Sequence, residues 1–343
     1  MPMLNIKSRL VRLAGPIGGF QLCRGLSRAM PKILMYHRFS ESAQPGFVHR
    51  EAFDAQITYL KNNFNVVSLG DLVTQYREKK SFPANTIVIT IDDGYKDFYE
   101  TAFPVLKKHN ASATFFVTTR FIDGDFWLWP DSVRYVLKNS DEINLSVMPG
   151  DLEYKSTQLT KNDKRFLWDM IVVYLLSITE NEKKIWLTEF AKLQKVNLPD
   201  NPVEDYRAVS WDEVRELDDS DIEIGVHTQS HPSLGKLEGE QIQVEVLGSV
   251  EIIEKQIGHR PKSFCFPNGQ PADYTEVVKE SVEKAGCQSA VTAFYDEHLV
   301  DDLFELRRFN VSADWNYFLR SVNGVDVLAA KYFKTNNIMK ASK

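Results

Sequence analysis

Short apolar runs that end in polar residues alternate along this chain with stretches whose apolar side chains return every three or four positions. The first pattern predicts strands and the second helices. Strands are expected at Ile33–Tyr36, Thr86–Asp92, Ala113–Thr118, Ile222–Val226, Ser263–Phe266, Ala290–Phe294 and Leu306–Val311. Thr86–Asp92 and Ile222–Val226 are apolar almost without interruption, as strands buried on both faces are, and each is followed directly by polar residues. Helical spacing marks Arg50–Asn63 (Phe53, Ile57 and Leu60), Asp71–Arg77, Asp97–His109, Glu238–Ile257 and Asp273–Ala285, the last stopped by Gly286, and a final helix begins at Trp315–Ser321. Repeated βα units with polar residues at the strand ends predict an α/β fold, a distorted (β/α) barrel.

Between about Trp127 and Arg207 the rhythm breaks. This stretch carries two helical patterns, Lys161–Ile178 and Asn181–Leu193, and four of the six tryptophans: Trp127, Trp129, Trp168 and Trp186. Its run Met170–Leu176 is too short to cross a bilayer, so a buried helix is expected. An insertion between two site-bearing strands should emerge near the active face and shape a substrate cleft as a helical cap. Trp127 or Trp129 is expected to stack on the substrate in that cleft, whereas Trp168 and Trp186 are expected to fill the cap's own core. From about Lys334 the chain is polar and is read as a frayed end.

Composition agrees with a folded enzyme. Hydrophobic residues at 43% and charged residues at 26% exclude a disordered or fibrous chain, and 343 residues suit one barrel with an insertion as well as two domains. Three scattered cysteines, Cys23, Cys265 and Cys287, exclude a disulfide framework or a thiolate zinc site and point to a reducing compartment. An isoelectric point near 5.7 argues against nucleic acid as a partner. Charge is nonetheless uneven. Residues 1–32 hold six basic side chains and no acidic one, leaving 35 basic against 47 acidic residues over the remainder. Arginine and glycine interrupt every apolar run there before a secretory h-region develops. Two readings stay open for the segment: an interfacial helix meeting anionic lipid, or a helix closing the bottom of the barrel. The first places the protein in the cytoplasm, peripheral on the inner face of the membrane.

The candidate chemistry lies where two of the strands end. Thr90-Ile91-Asp92-Asp93-Gly94 sets adjacent carboxylates at a strand terminus, and because side chains alternate there, one can ligate a metal while the other stays free as a base. His227-Thr228-Gln229-Ser230-His231 sets two imidazoles four residues apart, a spacing that brings both to one side of a helical turn. Asp93, His227 and His231 together offer three ligands and leave positions open, as in a catalytic metal site. Each half alone also has an everyday reading, a turn or a solvated histidine pair.

These residues carry a family resemblance. The chain is similar to polysaccharide deacetylases of the NodB-homology type, carbohydrate esterase family 4, over about Lys32 to Tyr317. Thr90–Gly94 resembles that family's Thr-Phe-Asp-Asp-Gly motif with Ile91 for Phe, and His227–His231 its His-Ser/Thr-x-x-His motif. Phe264-Cys265-Phe266-Pro267-Asn268-Gly269 sits where the family has its Arg-x-Pro-Tyr loop. Cys265 takes the place of the usual Arg, so the charge that orients Asp92 must come from elsewhere, with Arg308 and Arg38 as candidates. The late Leu-x-His motif is missing, since only His259 and His298 follow His231. Leu34-Met35-Tyr36-His37, however, resembles the opening of circularly permuted members, which makes His37 the general acid. The implied organisation is a basic amphipathic segment over 1–31, a deacetylase-like barrel over 32–325 interrupted by the cap at about 127–207, and a tail over 326–343.

The resemblance implies hydrolysis of an N-acetyl group on an amino sugar, aided by a divalent metal held by Asp93, His227 and His231. Zn2+ is the expected ion, with Co2+, Ni2+ or Mn2+ as substitutes. Asp92 would take the proton of the attacking water, and His37 would protonate the departing amine. A backbone N–H near Asn268, in a turn fixed by Pro267 and Gly269, would help hold the oxyanion. Thr228 would orient a neighbouring ligand and Asp314 a histidine behind the site. The expected substrate is a nucleotide-linked or polyprenyl-linked acetylated sugar of surface-glycan assembly. A deformylase or another amide hydrolase would use the same site, and a glycan-binding protein without catalysis would use the same fold.

Overall fold

The computed structural model describes residues 18–79, 81–140, 142–144, 155–156, 160–296 and 298–333. Eight strands make its main sheet: β1 (Lys32–Tyr36), β2 (Asn65–Val67), β3 (Thr86–Ile91), β4 (Ala113–Val117), β5 (Ile222–Val226), β6 (Ser263–Cys265), β7 (Ser289–Val291) and β8 (Arg308–Asn310). All pair in parallel, in the order β7-β6-β5-β4-β3-β1-β8, with β2 beside the first half of β3. A bridge from Val291 to Leu306 draws the ends together, so the sheet nearly closes into the expected barrel. Two strands, Lys32–Tyr36 and Ile222–Val226, end where the apolar pattern predicts, and the other predicted strands end one to three residues earlier.

Alternation along β3 sorts its side chains. Ile87, Ile89 and Ile91 face the outer helices, while Val88 joins Ile33, Phe116, Cys265, Val291 and Leu306 in a layer inside the barrel. Gly225 is required by this layer: a Cβ there would fall 2.4 Å from the Phe116 ring, which crosses in front of it. Helix Leu69–Lys79 buries Leu69, Leu72 and Val73 against the same layer and plugs the N-terminal end. Glu223 fixes the start of that helix by accepting from the Gly70 amide at 2.7 Å. The bottom of the barrel is thus closed by residues 69–79. Residues 1–17 of the N-terminal segment lie outside the described residues. Gly19–Leu26 is a helix with no buried residue, and Leu22 and Leu26 are each 66% exposed. Among the described residues no helix is long and apolar enough to cross a membrane.

The insertion has its own core. Helices Lys161–Leu175 and Glu180–Leu193 form where the pattern predicts, each opened by a threonine capping box, and a third helix, Trp129–Lys138, packs across them. Trp168 and Trp186 lie in this core with Val133, Leu167, Ile171 and Phe190, as expected. The stacking role expected of Trp127 or Trp129 is corrected. Both are buried: Trp129 lies within the same cluster, and Trp127 donates to the Pro199 carbonyl between Tyr135 and Tyr206. At the other end Val325–Phe333, of which residues 326–333 are assigned from sequence to a tail, is a helix with Val327 buried. The polar residues 334–343 lie outside the described residues.

Candidate metal centre

Asp93, His227 and His231 converge at the C-terminal mouth of the barrel, all buried, with ligand atoms within 4.8 Å of one another. Nε2 of His227 and Nε2 of His231 each stand 3.4 Å from Asp93 Oδ1. Ligands bound at about 2.0–2.1 Å to one tetrahedral ion sit about 3.3 Å apart, so the spacing fits a shared cation. The orientation fits as well. His227 Nδ1 lies 2.8 Å from the Cys265 carbonyl, which can only accept, so Nδ1 carries a proton and Nε2 is the nitrogen that faces Asp93 and would be left to bind a cation.

The expected helical turn between the two histidines is not what joins them. Residues 227–231 are a loop in which Thr228 and His231 adopt left-handed backbone angles, φ 65° and 56°. Glu245, on helix Gly239–Ile257, holds the loop by accepting from the amides of Gln229 and Ser230 at 2.9 Å. Thr228 Oγ1 accepts from the His231 amide at 3.0 Å, a bond within the same loop. Asp93 and Asn268 are left-handed too, at φ 83° and 59°. Non-glycine residues are held in that region only by surrounding bonds, at a cost of about 1–3 kcal/mol each, and here they gather around one site.

Asp92 stands beside this cluster. Arg308, itself fully buried, grips it with two charge-assisted bonds, Nη1 to Oδ1 at 2.7 Å and Nη2 to Oδ2 at 2.6 Å. The remaining donors of Arg308 go to the Thr90 hydroxyl, the Thr292 carbonyl and the Cys265 sulfur. Burial pushes the Asp92 carboxyl upward, but the Arg308 charge outweighs it and holds the group down at about 2. Of the two arginines left open by the sequence, Arg308 is the one on Asp92. Arg38 points away, to Asp97 at 2.7 Å and over the Tyr95 ring at 3.8 Å. His37 Nε2 is 3.7 Å from Asp92 Oδ2, and at 20% exposure its side chain is more open than the 3% of its partner.

Pro267, Asn268 and Gly269 form a tight turn in which the Gly269 amide donates to the Pro267 carbonyl at 2.6 Å. That amide is therefore engaged within the turn. A Cβ on Gly269 would strike the Ala293 backbone at 2.5 Å, so only glycine fits. Asn268 Nδ2 is buried with no acceptor among the described residues, which leaves a donor in the loop that the sequence assigned to the oxyanion. Asp314 is corrected: it is exposed and its carboxylate caps helix Trp315–Val322 by accepting from the Tyr317 amide at 2.7 Å, a bond in which no histidine takes part. Two contributors were missed. Glu245 looks like any helix-surface acid in the sequence, and Cys265 was noted only as a departure although its carbonyl and sulfur touch His227 and Arg308.

Comparison with known proteins places this geometry. A family model described as polysaccharide deacetylase matches residues 79–145 and 179–290, just over half of the chain. The chain is 37% identical over 73 residues to a poly-beta-1,6-N-acetyl-D-glucosamine N-deacetylase of Staphylococcus epidermidis, covering 21% of this chain and 25% of that protein. The chain spans between a quarter and about half of the length of the curated relatives it matches. Among solved structures, the Streptococcus pyogenes deacetylase PplD in complex with acetate superposes with a TM-score of 0.55 at 16% identity, over 87% of this chain and 96% of that one. IcaB from Ammonifex degensii superposes with a TM-score of 0.54 at 15% identity, over 86% and 97%. At such identities the superpositions establish the shared fold.

Proposed function

The chain belongs to the polysaccharide deacetylase family, and from its barrel mouth we propose that it is a metal-dependent N-deacetylase acting on an amino sugar of a surface glycan or its lipid-linked precursor. One observation carries this reading: three buried ligands at the spacing of a shared cation stand beside a second carboxylate that is held by an arginine. When bound there, Zn2+, or Co2+, Ni2+ or Mn2+ in its place, supplies Lewis acidity to the amide oxygen and the attacking water.

The chain's own residues do the rest. Asp92 accepts a proton from the water whose oxygen attacks the acetyl carbon. Because Arg308 holds it as an anion, it is ready to do so at every working pH, and Thr90, Arg308 and Cys265 fix its direction. Donors of the Pro267–Gly269 turn stabilise the oxyanion. His37, on the open side of Asp92, gives a proton to the amine nitrogen as the C–N bond breaks, so that acetate and a neutral amine leave.

The substrate named for the staphylococcal relative, poly-β-1,6-N-acetyl-D-glucosamine, supports a polymer or oligomer of N-acetylglucosamine. The exposed leucines of Gly19–Leu26 and the basic residues around them support a peripheral site on an anionic membrane, on its cytoplasmic side. Acetate release from β-1,6-linked N-acetylglucosamine oligomers and from a polyprenyl-linked acetylated sugar tests the reading. Zn2+-dependent release from either supports it, and no release from both by Zn2+-loaded protein contradicts it.

A further inference from the structure

The insertion reaches into the loops that carry the site. Asp131, on helix Trp129–Lys138 and 1% exposed, accepts from the Tyr95 hydroxyl at 2.5 Å, two residues beyond Asp93. The other oxygen of Asp131 accepts from Arg134 at 3.1 Å and lies 4.0 Å from Arg38, the residue after His37. Arg38 in turn lies over the Tyr95 ring, pairs with Asp97 and donates to the Asp205 carbonyl near the end of the insertion. Backbone bonds complete this edge, from the Lys96 amide to the Arg207 carbonyl at 2.9 Å and from the Val209 amide to the Gly94 carbonyl at 3.0 Å. The third loop is held separately. Glu180, at the start of helix Glu180–Leu193, accepts from the Ser233 amide at 3.1 Å, two residues beyond His231, and Lys236 donates to the Ile178 carbonyl at 2.9 Å.

We propose that the insertion clamps the metal centre, with Asp131 and Glu180 as positioning residues for the loops that carry Asp93, His37 and His231. The physical need is visible in the backbone. Asp93 and His231 both occupy the left-handed region, and such residues keep that conformation only where their neighbours are fixed. Bonds from the insertion fall on residues 94–96 and on 233, one to three positions after each strained ligand. The Asp131–Tyr95 bond is buried and charge-assisted, the kind whose loss leaves an unsatisfied group rather than a solvated one. The insertion therefore acts on the geometry of the ligands, in addition to bounding any cleft.

The inference rests on the metal-centre reading, and its test keeps the two apart. Tyr95→Phe, Asp131→Asn and Glu180→Gln are made in the full chain. Zn2+ affinity is measured by competition with a chromogenic chelator, beside thermal midpoint and the separate kcat and KM for acetate release. Tyr95→Phe deletes one hydroxyl and is the variant least able to disturb folding. Partners that orient metal ligands typically contribute 10- to 100-fold in affinity or rate, so each variant should lose roughly tenfold or more in Zn2+ affinity and in kcat while KM stays within about threefold. Because Tyr95 and Asp131 act through one bond, Tyr95→Phe/Asp131→Asn should be no worse than the poorer single variant. Folded variants with Zn2+ affinity within twofold of the parent overturn the clamp, whatever their thermal midpoint. A parent that binds no Zn2+ overturns the metal-centre reading and the clamp with it.

Discussion

Replacing Arg308 with methionine would remove the countercharge from Asp92 while nearly keeping the volume inside the barrel. In the parent the guanidinium makes two bonds to Asp92 and one each to Thr90, Thr292 and Cys265. Asp92 is 2% exposed, so its carboxylate would be left in a site with little water. Returning its carboxyl from about 2 to the ordinary 3.8 already corresponds to about 2 kcal/mol at 1.36 kcal/mol per pH unit. Burial, no longer opposed by Arg308, pushes it further upward. Breaking a buried pair from one side costs about 3–5 kcal/mol in general, so the variant should lose roughly 4–7 °C in thermal midpoint. Its pH–rate profile should change as well. Asp92 would become protonated on approaching neutrality, so an acid limb of kcat that in the parent lies below pH 4 should rise into the assayed range. Calorimetry and acetate release between pH 4 and 9 measure both effects. An unchanged midpoint together with an unmoved acid limb would refute the assignment of Arg308 as the charge that holds the base.

Asp92→Asn should keep the metal proposed for Asp93, His227 and His231, since Asp92 is not one of those three, and lose at least a hundredfold in kcat; near-parent turnover would remove it as the base. Because the folded Asp92 carboxyl is held below its unfolded value, its contribution to stability is present above about pH 4 and lost as pH falls towards 2; denaturant melts should show about 2 kcal/mol of acid loss in that window that Asp92→Asn lacks. Leu22→Asp/Leu26→Asp should abolish sedimentation with vesicles containing anionic lipid and leave acetate release from a soluble oligomer unchanged; binding equal to the parent would exclude that helix as the contact. His37→Gln should lower kcat while acetanilide-type amides with better leaving groups are spared; equal losses on both would argue against proton donation by His37.

The barrel was legible because its strands are buried on both faces and end sharply at polar residues, so Thr86–Ile91 and Ile222–Val226 point to their own C-terminal chemistry. Asp93, His227 and His231 could be named from spacing, since each follows such a strand. What the spacing hid was conformation. The same four-residue interval fits a helical turn or the loop that Glu245 holds, and that hydrogen bond spans 15 or 16 residues. Arg308 and Arg38 each lie in or just after an apolar strand. Which one reaches Asp92 depends on the side of the barrel wall each faces, and on Asp97 and Asp131, which claim Arg38. Trp127 and Trp129 illustrate the opposite error. A sugar platform and a core tryptophan look alike in sequence, and only the third helix of the insertion, opened by Pro130, shows that they are enclosed.

Metal content of the purified protein, by mass spectrometry beside a His227→Ala/His231→Ala variant, tests the central claim most directly. About one divalent ion per chain in the parent and none in the folded variant is the predicted result. Parent protein that holds no metal after incubation with Zn2+, or a variant that holds as much as the parent, would contradict the site.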